Sequence, residues 1–278
     1  MAQPQVSIDP DEMLRAEIAQ LTLRLPPLPG VAAQVLAISA DGDAAELARL
    51  IQQDQSLASN VLRIVNSPSF RGASEIVALQ QAIARLGLSR ITEMALSISL
   101  KAVLDQPGPF DALIQQAWQR ALGAGLWARE VARLCRKNVE NAYLSGLMHN
   151  IGIPVVLHRL SAMENGQGPI AAPKAQQLAN TYAQQVGLML IASWRLPKLL
   201  SRYVEVGGEY TAAGQDADLM ACVSAGIAIA TLAEDQSLSA EALVQIPALT
   251  HLNLYPDDAQ SLVELHSQVQ QQMSEMNA

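Results

Sequence analysis

The sequence predicts an all-α protein. Three observations carry that prediction: Ala and Leu dominate a composition with only 4% aromatics, apolar residues recur about every 3.6 positions, and no stretch shows the period-2 alternation of a half-buried strand. Half of the 278 residues are apolar and 16% are charged, the balance of a chain that folds around a core and not of a disordered one.

The elements follow in order. Asp9-Pro10-Asp11-Glu12 sets an N-cap residue, a proline at the first helical position and a carboxylate behind it, so a helix opens there and ends before Leu25-Pro26-Pro27-Leu28-Pro29-Gly30. A second helix carries Val31, Val35 and Ile38. Asp43-Ala44-Ala45-Glu46 reads as a capping box opening a third, with Leu47, Leu50 and Ile51 inside. A fourth follows Asp54, turns Leu57, Val61, Leu62 and Val65 inward, and stops at Asn66-Ser67-Pro68. Two more helical patterns, 76–86 and 91–104, flank a bend at Gly87.

Asp105-Gln106-Pro107-Gly108-Pro109 is the best linker in the chain and sets a subdomain boundary; the expected parts are an N-terminal helical extension (1–20), an N-terminal helical subdomain (21–106) and a second helical subdomain (107–278). The second half predicts helices at about 110–137, 139–159, 175–193, 196–206, 216–233 and 257–275. Residues 164–173, rich in Gly, Pro and Ala, read as a loop. No fixed-period repeat is visible, which argues against a solenoid.

Composition also narrows function. The formal charge is −8 with a pI near 5.0, and such a surface repels phosphate backbones, so no nucleic-acid partner is expected. A stripe of Arg129, Arg133, Arg136 and Lys137 reads as a solvated helix face near a helix C-terminus, with docking of an acidic partner as the alternative. The start has no basic patch or apolar run and no later stretch reaches bilayer-spanning length, so a cytoplasmic location and no membrane partner are expected. Cys135 and Cys222 lie far apart without a Cys-x-x-Cys spacing and are expected to be small buried hydrophobes, not a disulfide or a metal site.

Leu25 to Pro29, Ile51-Gln52-Gln53-Asp54-Gln55-Ser56-Leu57, Leu62 to Ser67, Ala82 to Leu88, the Trp118 region, Tyr143 to Gly152 and Trp194-Arg195-Leu196-Pro197 occur in one order over about residues 21–210. In that order and spacing the chain resembles the HDOD family of bacterial regulatory domains. The resemblance implies an N-terminal helical bundle packed on a half similar to HD metal-dependent phosphohydrolases, and a role in bacterial signal transduction with unidentified signalling proteins as partners. Of the motif residues, Pro26, Pro27, Pro29, Asn66, Ser67, Gly87, Trp118, Gly152, Trp194 and Pro197 are expected to be structural. Leu-Pro-Pro-Leu-Pro can be a stiff linker or a polyproline-type docking site, and Asn66 a helix C-cap.

An HD hydrolase needs imidazoles and carboxylates converging on divalent ions. The layout implied by the resemblance falls on Arg120, on His149 and Asn150, near Ala183, and on Gly207 and Gly208. Of these only His149 is a ligand type. The chain has four histidines, His149, His158, His251 and His266, and none precedes position 149. No metal, cofactor or catalytic residue is therefore expected; His149 and Asn150 are a vestige, and Arg120, His149, Asn150 and Tyr182 form a candidate pocket for a small anionic ligand. Three readings stand: a non-catalytic regulator, an active metal-dependent phosphohydrolase acting on nucleotides or cyclic dinucleotides, and a structural adaptor.

Overall fold

The computed structural model describes residues 9–38, 43–70, 72, 74–104, 106–205 and 216–277. Among them are helices and no strand. The N-terminal half contains α1 (Pro10–Ala19), α2 (Gly30–Ala37), α3 (Ala44–Gln52), α4 (Gln55–Val65), α5 (Leu79–Leu86) and α6 (Leu88–Leu104). The second half contains α7 (Asp111–Leu134), α8 (Val139–Met148), α9 (Gly152–Gln167), α10 (Ala172–Ser193), α11 (Lys198–Glu205), α12 (Ala217–Glu234), α13 (Ala240–Leu243), α14 (Pro247–His251), α15 (Pro256–Glu264) and α16 (His266–Asn277).

The helix starts follow the capping chemistry. Asp9 accepts from the Asp11 N–H at 3.2 Å, Asp43 from Ala45 at 2.9 Å and Asp54 from Leu57 at 3.0 Å, each supplying an acceptor for a backbone donor that has no intrahelical partner. Gly87 takes φ 88°, a left-handed value open to glycine, and turns α5 into α6.

The helix expected over 139–159 is two helices. It breaks after Met148 because Pro154 lacks an N–H, a lack that is harmless only in a first turn, and α9 starts at Gly152. Gly152 also sets the α9–α10 crossing: a Cβ there would lie 2.0 Å from the Ala183 carbonyl oxygen, so no larger residue allows this approach. The loop expected over 164–173 is shorter, because α9 continues to Gln167. The expected 257–275 helix is α15 and α16, and α13 and α14 precede it.

α7 is the central helix, buried on every side from Ala121 to Ala132. α8 crosses it where Gly146 faces the Ala124 carbonyl, and α12 crosses where a Cβ on Gly226 would lie 2.4 Å from the Ala128 nitrogen. α12 runs antiparallel to α7: Glu234 meets Arg120, Ala230 meets Gly123, Gly226 meets Ala128, Cys222 faces Cys135 and Asp218 binds Lys137. Its 18 residues have a mean hydropathy of 1.5, so, against the sequence expectation, one stretch does reach the length and apolarity of a bilayer span. Here that apolarity serves packing against α7.

α1 covers the second half: Tyr182 on α10 donates to Asp11 at 2.5 Å, and Arg159 on α9 pairs with Glu17. α16 spans both halves, touching Arg63, Lys101, Trp118 and Arg129.

Replacing Gly152 with Ala should lower stability by about 3 kcal/mol, because backbone must move to admit one methyl group. A thermal melt should show a drop of about 5 °C. Gly30→Ala, where nothing lies within 4 Å of the added carbon, should leave the midpoint unchanged.

Candidate functional site

The close α7–α8 crossing brings His149 to the end of α8. Its Nδ1–H donates to the Gly146 carbonyl at 2.7 Å, a tautomer set by the acceptor. Burial lowers its pKa, against the smaller opposing pull of that carbonyl, so the ring is neutral near pH 7. Asn150 donates through Nδ2 to the Ala117 carbonyl of α7 at 3.3 Å.

The structure does not gather the other pocket candidates around His149. Arg120 is half-exposed and points to α12, where Nε and Nη2 hold Glu234 at 2.8 and 3.1 Å. The two shifts agree: Glu234 raises the Arg120 pKa, and Arg120 lowers that of Glu234. The cavity that Arg120 lines, about 150 Å³, is walled by α7, α12 and α16, and His149 is not among its walls. Tyr182 is taken up by Asp11. The physical reason is that a guanidinium beside a carboxylate at the surface keeps most of its hydration, whereas an inward Arg120 would be desolvated without a partner.

Ala183 presents its carbonyl to Gly152, and Gly207 and Gly208 lie outside the described residues. Among the described residues no group of three or more His, Cys, Asp or Glu is placed to hold a metal ion. The described residues at the HD ligand positions do not fit a divalent centre.

Most of the remaining motif residues serve structural contacts. Asn66 caps α4 and also brackets Ile76, accepting from its N–H and donating to its carbonyl, both at 2.8 Å. Ser67 donates to the Ile64 carbonyl at 2.6 Å. Trp118 Nε1 donates to Asn277 at 2.9 Å, and Trp194 Nε1 to the Pro26 carbonyl at 2.8 Å. Pro29 is the N-cap of α2, and Pro197 accepts from the Leu200 N–H as α11 begins. Pro27 is exposed on a cleft of about 570 Å³ between the Leu25-Pro26-Pro27 segment, α1, α9 and the end of α6.

The basic stripe is not a uniform solvated face. Arg129 is 2% exposed. Its Nε and Nη2 hold Glu130 Oε1 at 3.0 and 2.8 Å, Nη1 holds Glu93 Oε2 at 3.2 Å, and Nη2 also reaches Gln272 at 2.8 Å. The guanidinium carbon lies 5.9 Å from the Tyr143 ring centroid, within cation–π range. Tyr143 and Ser97 hydrogen-bond each other, and Ser97 donates to the Glu93 carbonyl at 2.8 Å. Arg90 and Arg133 reach Glu93 and Glu130 from the rim, and Lys137 pairs with Asp218. The one hint of this network in the sequence is that Arg129 and Glu130 sit within the otherwise apolar run Leu126 to Ala132, though the Arg129 partners Glu93 and Gln272 lie on distant helices.

The protein resembles several solved structures. One from Shewanella amazonensis, named "Putative metal-dependent phosphohydrolase", is 18% identical, with a TM-score of 0.74, 97% of this chain and 100% of that chain covered. An HDOD domain protein of unknown function from Geobacter sulfurreducens is 20% identical, with a TM-score of 0.72, covering 96% and 98%. A "Putative signal transduction protein" from Marinobacter aquaeolei is 20% identical, with a TM-score of 0.67, covering 97% and 66%. An uncharacterized protein of Treponema pallidum is 24% identical over 196 residues, 66% of this chain, and the chain spans only 38% of that relative's length. Fold and site together define an all-helical domain of HD-phosphohydrolase-like architecture. The HDOD domain profile matches residues 25–208, and the chain belongs to the HDOD family.

Arg129→Met should destabilise the fold by about 3–5 kcal/mol in urea titration, because Glu93, Glu130 and Gln272 lose their buried partner and the two carboxyls keep only the rim arginines. Burial pushes the Glu93 carboxyl up from 4.5 to about 8, with Arg90 and Arg133 pulling the other way. An acid raised in the folded state contributes stability fully below 4.5 and loses it as pH rises through about 8. Stability should therefore decline over that window, and Glu93→Gln should flatten the decline in chemical denaturation read at several pH values.

Proposed function

We propose that this chain is a regulatory signal-transduction protein of the cytoplasm that works through contacts with other proteins and not by hydrolysis. One observation carries the reading: at the positions where an HD hydrolase gathers its metal, the described side chains are committed to structural bonds. His149 is bound to Gly146, Asn150 to Ala117 and Arg120 to Glu234. Without several converging donors an ion is not held, and without an ion no bound water is activated. The names carried by similar structures include both signal transduction and phosphohydrolase, so the chemistry of these positions favours the former.

A small anion at Arg120 is not part of the proposal, because Glu234 already neutralises that guanidinium. No cofactor is required. The cleft beside Pro26 and Pro27, with Arg24 exposed on its lining, is one surface at which the family motif meets solvent and a place to probe for a partner.

Two measurements test this reading. Elemental analysis of the purified chain should find no stoichiometric Fe, Mn, Zn or Ni, and nucleotides and cyclic dinucleotides with added Mn²⁺ or Mg²⁺ should show no turnover above background. A bound metal lost together with turnover in His149→Ala would replace the regulator with a hydrolase.

A further inference from the structure

The antiparallel packing of α12 on α7 ends in two thiols that the sequence separates widely. Cys135 caps α7 and is half-buried; Cys222, on α12, is fully buried. Two observations bring them together. The register of the crossing runs from Glu234 on Arg120 through Ala230 on Gly123 and Gly226 on Ala128 to Asp218 on Lys137, which sets Cys222 opposite Ala132, one turn before Cys135 on the same face of α7. The thiols themselves interact directly. The helices are also as close as backbones allow, since a Cβ on Gly226 would collide with the Ala128 main chain.

We propose that Cys135 and Cys222 form a reversible disulfide, a peroxide-responsive modification site that fastens α12 to the C-terminal end of α7. The two thiols divide the roles by exposure. Solvent and peroxide reach the half-buried Cys135, while Cys222 lies behind it, placed to resolve. Contact with Cys222 lowers the Cys135 pKa, burial opposes this, and Lys137 lowers it further; contact with Cys135 and burial push the Cys222 thiol up. Asp218 and Asp258 oppose the Cys135 thiolate, but Asp218 is itself held by Lys137 and His251.

The Cys135 thiolate attacks one oxygen of hydrogen peroxide, the O–O bond breaks, and with one proton the other oxygen leaves as water. The resulting sulfenic acid is attacked by the Cys222 sulfur; its hydroxide leaves with the Cys222 proton as a second water. Two thiols and one peroxide give one disulfide and two waters, the two sulfurs supplying both electrons. An external thiol reductant reverses the step by exchange. In a reducing compartment such bonds are transient and sensing.

The test uses the folded full chain. It is treated with hydrogen peroxide, alkylated, digested without reductant and mapped by mass spectrometry. The expected result is a linked peptide pair joining Cys135 and Cys222, lost on treatment with dithiothreitol, with a melting temperature roughly 5–10 °C higher in the oxidised chain. Cys222→Ser should instead leave a sulfenic acid at Cys135 that dimedone traps, and Cys135→Ser should leave Cys222 unmodified. Both thiols alkylated after peroxide, linkage only between Cys135 residues of two chains, or Cys222 reacting when Cys135 is absent would each overturn the proposal. The mapping on the unaltered chain decides the matter even if a variant fails to fold.

Discussion

The Arg129 guanidinium is desolvated, and a buried cation is tolerable only while nearly all its donors are engaged. Those donors reach α6 through Glu93 and α16 through Gln272, with Glu130 alongside on α7 and the Tyr143 ring of α8 over the plane. Four helices are thereby fixed relative to one point. Apolar packing could accept several small shifts of α6 along α7, but a shift of one residue would part Arg129 Nη1 from Glu93 and leave that donor without a partner in a dry place. Glu130 in turn binds Arg133 at the rim, so the buried group has an outlet toward solvent on one side only.

The helices of this HD-like architecture are positioned by contacts other than those made by the described side chains at the HD ligand positions. Where a fold depends on a bound ion, its ligands hold the helices together. Here backbone-to-backbone crossings at Gly146, Gly152 and Gly226, together with the Arg129 group, set the helix positions. The former ligand positions are then free to take ordinary structural bonds: an imidazole on a carbonyl, an amide on a carbonyl, a surface ion pair.

The helix starts were legible in the sequence because capping is local: Asp9, Asp43 and Asp54 each bind a donor two or three residues on. The family was legible because its short motifs keep their order. What could not be read depended on distant partners. Arg129 matches its neighbours in a helical stripe, and only α6 and α16 make it buried. Cys135 and Cys222 become neighbours through the register of α12 on α7, which periodicity does not encode. Arg120 could have faced inward or outward until Glu234 appeared beside it. Pro154 was visible, but its first-turn position became clear only with the break at His149 to Ile151.

α16 joins the two halves by bonds to residues very far back in the chain. Arg63 and Glu275 are 212 positions apart, Lys101 and Asn277 are 176, and Arg129 and Gln272 are 143. Bringing such distant segments together costs loop-closure entropy before any contact repays it, and non-local pairings of this kind form slowly. The α7–α8 and α9–α10 hairpins, with short connections, can assemble early. The Arg129 charge cluster is complete only once Gln272 docks, so α16 must be seated before that guanidinium has all its partners.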